Sequence, residues 1–113
     1  MSESQHVGPI IMSNDTARRQ LVEHGVVVTF RASERTTGQT WWRESRTGPK
    51  QGDCTVERIG VVDPSERSAL RPSQPLSGFA SVRDWQDAIE SLHGGLSEGV
   101  LYRVTSERGG DDA

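Results

Sequence analysis

Two side chains that could bind an anion stand two residues apart in an apolar segment. Thr29 and Arg31 end the run Val26 to Arg31, whose other members are valine or phenylalanine. Alternate residues of a β-strand point to the same face, so both side chains would line one wall. A guanidinium binds a phosphate or a carboxylate through two hydrogen bonds. The alternatives are that Arg31 forms a structural salt bridge and that Thr29 is an ordinary strand residue.

A second candidate group combines aromatic rings with a cation. Trp41 and Trp42 are adjacent and precede Arg43. A ring can stack on a nucleobase while the arginine holds its phosphate, which is worth about 1–3 kcal/mol for each stacked base. Neighbouring strand residues point to opposite faces, so at most one of the two tryptophans belongs to the core. We therefore take Trp41 and Arg43 as candidate ligand-binding residues, the alternative being that the second tryptophan covers one end of the fold.

The charge of the chain is unevenly distributed. The 113 residues carry a net charge of −3, which argues mildly against indiscriminate nucleic-acid binding. The segment 29–51 nevertheless has a local charge of +3, so the rest of the chain carries −6. The positive region coincides with the candidate ligand-binding residues.

The metal-ligating and nucleophilic residues form no recognisable site. Cys54 is the one cysteine, which excludes an internal disulfide and favours a buried, unreactive thiol. The histidines at 6, 24 and 93 lack the spacing of metal ligands. We expect no metal, no cofactor and no catalytic residue.

The absence of targeting signals favours a cytoplasmic location, and we also expect a monomer. No apolar run reaches the roughly 20 residues of a membrane span, so we expect no membrane partner. The first residues lack the pattern of a secretion signal, and a lone thiol suits a reducing compartment.

Hydrophobic periodicity and turn residues indicate the elements that would hold these side chains. Asn14 and Gly25 are typical of the two ends of a helix, and Ser81 with Asp84 forms a capping box before another. The predicted strands are Ile10–Met12, Val26–Arg31, Thr40–Arg43 (or an ordered loop), Cys54–Val62 with a bulge near Arg58, and Gly99–Thr105; the predicted helices are Asp15–His24 and Val82–His93.

This order of elements predicts an α+β fold: a small, mostly antiparallel β-barrel flanked by two or so helices. Residues 65–76 are predicted to be a long polar loop. Residues 8–106 would form a single domain, with disordered tails at 1–7 and 107–113.

The sequence resembles the ASCH domain family, a relative of the PUA domains, over about residues 9–105. The matching segments are Leu21 to Gly25, Thr29-Phe30-Arg31, Gly52-Asp53, Ser77-Gly78-Phe79, Trp85 and Leu101 to Val104. The resemblance implies a PUA-like barrel with a cleft beside the 26–31 strand, and a function connected with RNA. Ser77 and Gly78 could place backbone N–H groups at that cleft, the alternative being that they form a plain turn.

Some members of this family are amidohydrolases that act on acetylated cytidine, using a lysine, a threonine and a glutamate. Thr29 matches the threonine, but Val26 or Val27 stands at the lysine position and Ser77 at the glutamate position. Glu90 or a loop carboxylate could take the glutamate's place in space.

The sequence therefore predicts a module that binds RNA or a nucleotide-like ligand, with Thr29, Arg31, Trp41, Arg43 and Ser77 as its ligand-binding residues. The alternatives are a hydrolase (amidohydrolase or ribonuclease) with an altered catalytic set, and a protein-interaction domain with an exposed apolar patch.

Overall fold

The chain folds around one curled sheet of five strands, and the computed structural model describes residues 7–107. The strands are β1 (Ile10–Ile11), β2 (Val26–Arg31), β3 (Gly38–Arg43), β4 (Gly52–Val62) and β5 (Gly99–Glu107). The helices are α1 (Asp15–His24), α2 (Arg67–Leu70) and α3 (Val82–His93), with a 3₁₀-helix over Arg71–Leu76. The predicted α+β class is confirmed.

The sheet is a half-barrel of mixed direction and not the mostly antiparallel β-barrel that the sequence predicts. Its strand order is β1-β3-β4-β5-β2, so β1 and β2 are edges that no strand pairing joins. Three pairs are antiparallel, whereas β1 lies parallel to β3. The cause is the path of the chain: it leaves β1 through α1, forms β2 at the far edge, and returns to place β3 beside β1.

Arginine side chains connect the two edges where strand pairing does not. Arg31, at the end of β2, donates from Nη2 to the carbonyl of Ile11 in β1 at 3.0 Å. Arg35, in the loop after β2, donates from its own Nη2 to the carbonyl of Gly8 at 2.6 Å. Edge-strand carbonyls thus gain partners without a sixth strand.

Two clusters of apolar side chains pack on opposite faces of the sheet. The alternation of β2 separates them, because Val27 belongs to one cluster while Val28 and Phe30 belong to the other. The first cluster includes α1 and the buried ring of Trp42, and the second includes α3. We call these the α1 face and the α3 face.

The helix boundaries agree with the capping residues in the sequence. The Asn14 side chain accepts a hydrogen bond from the N–H of Ala17, and Gly25 ends α1 with a left-handed φ of 79°. Ser81 caps α3 in the same way, accepting from the N–H of Asp84. The predicted bounds of both helices and of β2 are confirmed.

Other elements differ from the prediction. Residues 65–76 are not a loop: Leu70 is fully buried and anchors α2, and the fixed φ of Pro72 and Pro75 suits the 3₁₀-helix that follows. Strand β5 is also two residues longer than predicted. The predicted strand near Trp41 and the predicted bulge near Arg58, by contrast, are confirmed.

Most of the two predicted tails lies outside the described residues. Of those tails, the structure describes Val7, whose carbonyl accepts a hydrogen bond from Thr40, and Glu107, the last residue of β5.

Candidate functional site

A cavity of about 180 Å³ opens at the edge of β2, between the start of α1 and the end of α3. Its lining includes Ser13 and Asn14 from α1's beginning, Thr29 and Arg31 from β2, and His93 from the end of α3. We call it the Arg31 cavity. The structure brings Thr29 and Arg31 together in it, as the alternation of strand side chains predicts.

Arg31 uses only part of its hydrogen-bonding capacity within the protein. Its Nη2 contacts the Ile11 carbonyl and, at 3.4 Å, the Sδ of Met12. Its Nε is buried and has no hydrogen-bond partner among residues 7–107. A guanidinium offers five N–H donors, so donors remain for a further acceptor.

The charge of Arg31 is held in an unfavourable environment. Burial, and to a smaller extent the positive charge of Arg35, lowers the pKa of Arg31 to about 10. No ion pair of Arg31 occurs within the described part of the chain, and no carboxylate lines its cavity there. The structural role of Arg31 is thus a hydrogen bond to a carbonyl, and not the salt bridge that was the alternative to anion binding.

This arrangement suits a small anionic group. The first turn of a helix presents free backbone N–H groups and a partial positive charge, and α1 begins at the cavity. A volume of about 180 Å³ equals that of roughly six water molecules at about 30 Å³ each. One phosphoryl or carboxylate group with its first substituents fits such a volume.

One side of the cavity is apolar. A second, smaller hollow of about 40 Å³ shares Thr29, Phe30 and His93 with it and extends to Trp85 in the α3 cluster. The rings of Phe30 and His93 meet edge to face, with 5.5 Å between their centroids. An anion bound at Arg31 would therefore have an apolar surface beside it.

Trp41 and Arg43 lie together, but on the other face of the sheet. The Arg43 guanidinium is 5.2 Å from the centroid of the Trp41 ring. Trp42 is buried in the same cluster as Val27, so Trp41 and Arg43 point away from the α1 face while Thr29 and Arg31 point towards it. The prediction that at most one of the tryptophans is core is confirmed. The structure thus forms two pairs rather than one cleft of four side chains.

Ser77 is fully buried and takes part in a turn. Its hydroxyl donates to the carbonyl of Gln74 at 2.7 Å and accepts from the N–H of Phe79 at 3.1 Å. It does not line the Arg31 cavity, so its side chain has a structural role before α3.

Sequence reasoning missed Asn14 and His93 as cavity residues. The sequence marks both residues only as helix ends. They reach β2 because α1 and α3 pack against opposite faces of that strand, and no local sequence pattern indicates that packing. Val26 and Val27, at the family's lysine position, provide no titratable group.

Two further observations concern the described residues. Over residues 7–107, no group of three or more His, Cys, Asp or Glu side chains could hold a metal ion. Within the same range, each helix is too short or too polar to cross a membrane.

Comparison with family models, with curated proteins and with solved structures found no match to this chain. The resemblance to the ASCH family therefore depends on the sequence motifs alone.

Proposed function

We propose that this chain is an ASCH-like module that binds RNA or a nucleotide-like ligand, with an anionic group of that ligand in the Arg31 cavity. The observation that carries the proposal is a half-buried guanidinium, with a buried Nε that has no partner, whose cavity contains no carboxylate within the described residues. A bound anion would compensate the charge that burial has made costly.

The contacts of the ligand follow from the lining. A phosphate oxygen would accept from the guanidinium of Arg31 and from the Thr29 hydroxyl, and the first N–H groups of α1 would add to the field. Phe30 and His93 would contact the adjoining sugar or base. In this proposal the chain works as a cytoplasmic monomer and binds without catalysis, since the lysine position holds valine.

The experiment is a titration of the ¹⁵N-labelled chain with a nucleoside monophosphate and with a short single-stranded RNA at low salt. We expect chemical-shift changes at Thr29, Arg31 and the first turn of α1. Arg31→Gln should weaken binding at least tenfold, because a charge-assisted contact is lost. Arg83→Gln, which changes an exposed arginine on α3, is the matched control.

Arg31→Gln also removes a hydrogen bond of the fold, so Thr29→Val serves as a second variant of nearly equal volume. Binding that neither variant weakens would contradict the proposal. Incubation with acetylated cytidine tests the hydrolase alternative, and turnover abolished by Thr29→Val would favour that activity.

A further inference from the structure

A third, larger hollow shares no lining residue with the Arg31 cavity, although the two adjoin at the start of α1, where Asn14 lines the cavity and Asp15 lines this hollow. It is a groove of about 710 Å³ between α1 and the end of the sheet where β3 ends, β4 begins and β5 ends. We call it the Trp42 groove. Its volume falls within the range of about 300–1,000 Å³ that is common for ligand sites.

The floor of this groove holds a polar atom that has no partner among the described residues. The Trp42 ring is 6% exposed, and none of residues 7–107 accepts a hydrogen bond from its Nε1. Gly52, the first residue of β4, adjoins this atom: a Cβ at position 52 would lie 3.2 Å from Nε1. The missing side chain therefore leaves the indole N–H open to the groove, where an incoming acceptor can reach it.

The groove has the opposite charge to the Arg31 cavity. Four carboxylates and two guanidiniums line it, a net charge of −2. One of the guanidiniums, that of Arg18, is already paired with Asp15 and lies 3.8 Å from Glu44, and it also donates to the carbonyl of Met12. Glu23 and Glu44 are exposed on opposite sides of the groove, on α1 and just after β3.

We propose that the Trp42 groove binds a basic peptide segment. A peptide carbonyl accepts the hydrogen bond from Trp42 Nε1, and an arginine or lysine side chain of the peptide lies between Glu23 and Glu44. The aliphatic part of that side chain covers the edge of the Trp42 ring and the side of α1. A polyamine would pair with the carboxylates but has no acceptor for the indole N–H. A phosphodiester would be repelled by the net negative charge of the groove.

The probe is an acetylated, amidated tri-arginine peptide, and the readout is the indole N–H signal of Trp42 in ¹H–¹⁵N spectra. We expect that signal to shift on addition of the peptide, since a new acceptor contacts the proton. The tri-citrulline peptide has the same shape without charge and should bind at least tenfold more weakly.

Gly52→Ala should abolish the shift and weaken the peptide at least tenfold, because the new methyl group covers Nε1. Gly95→Ala, where an added Cβ meets nothing within 4 Å, is its control. If Gly52→Ala lowers the melting temperature, Glu23→Gln and Glu44→Gln provide the test on an intact fold. Each should weaken the peptide about threefold to fivefold, as expected for exposed charge pairs, and Glu66→Gln should not.

Three results would overturn the proposal: equal affinity for the citrulline peptide, an unchanged Trp42 signal, or a larger shift of that signal with RNA than with the peptide. The proposal does not depend on the nucleotide site. Arg31→Gln should leave peptide binding unchanged, so the two sites can fail separately.

Discussion

At the scale of single residues, Arg31 combines a structural hydrogen bond with donors that the described residues leave unused. Its Nη2 connects β2 to the carbonyl of Ile11, while its Nε remains without a partner among the described residues. A lysine at this position would keep the charge but not the planar group that can do both at once. The residue type, and not only its charge, therefore suits the site.

Cys54 illustrates the other kind of buried polar group, one with no sign of function. The thiol is fully buried, and burial is the main cause that raises its pKa to about 11. The thiolate is the reactive form of cysteine, so this side chain is protected both sterically and by its protonation.

We predict that Cys54 of the folded chain does not react with dithionitrobenzoate at pH 8, and that it reacts at once in a denaturing concentration of urea. The folded thiol keeps its proton up to about pH 11, whereas the unfolded thiol loses it near pH 9. The folded state therefore loses stability as the pH rises from about 9 to about 11, by at most about 1 kcal/mol per pH unit. Urea unfolding as a function of pH should show a smaller slope for Cys54→Ala. Rapid labelling of the folded chain would contradict this account.

At the scale of elements, the Arg31 cavity depends on how two helices meet β2. The N-terminal end of α1 and the C-terminal end of α3 both line it, although they belong to opposite faces of the sheet. The turn before α3 is held against α1 at Gly78. A Cβ at that position would lie 2.8 Å from the carbonyl oxygen of Thr16, and the φ of Gly78 is +89°.

We predict that Gly78→Ala lowers the free energy of unfolding by about 2 kcal/mol or more, because it adds backbone strain to a steric clash with α1. Urea denaturation measures the change. Gly95→Ala, at an open position, should alter stability by less than about 1 kcal/mol. Equal stabilities of the two variants would mean that α1 and the turn before α3 are not packed as described.

At the scale of the whole molecule, the half-barrel is completed by side chains. Arg35 is central to this, because its guanidinium contacts the segment before β1 and its backbone N–H donates to the Tyr102 hydroxyl at 2.8 Å. Arg58 on the same side of the molecule forms an ion pair with Glu34 that is exposed to solvent. Arg35 therefore joins the loop after β2 to the segment before β1, whereas Arg58 joins β4 to that loop.

We predict that Arg35→Gln lowers the free energy of unfolding by about 1–2 kcal/mol, since a charged donor to partly buried carbonyls is removed. It should also speed hydrogen exchange of the Met12 amide, which bonds to the Arg43 carbonyl beside β1. Arg58→Gln should have a smaller effect on both measurements, because exposed ion pairs contribute little. If Arg58→Gln destabilises β1 more than Arg35→Gln does, the edges are not joined as proposed.

The Arg31 cavity and the Trp42 groove also differ in charge. The Arg31 cavity contains a cation without a counterion in the described residues, and the Trp42 groove is lined by an excess of carboxylates. The small net charge of the whole chain conceals this separation, so composition alone gives a poor guide to partners.

Local physics determined a large part of this structure from the sequence by itself. The bounds of α1, β2 and α3 follow from capping residues, glycine stops and apolar periodicity, which act over a few residues. The shared face of Thr29 and Arg31 follows from the alternation of a strand.

Only the tertiary structure decided which side chains meet. The parallel pairing of β1 with β3, the open edge at β2, the separation of Trp41 from Thr29 and the burial of Ser77 all depend on the order of strands in the sheet. That order is set by the free energy of packing helices on both faces, a non-local quantity that no short motif contains. For the same reason the Trp42 groove, built from α1 and three strand ends, is invisible in the sequence.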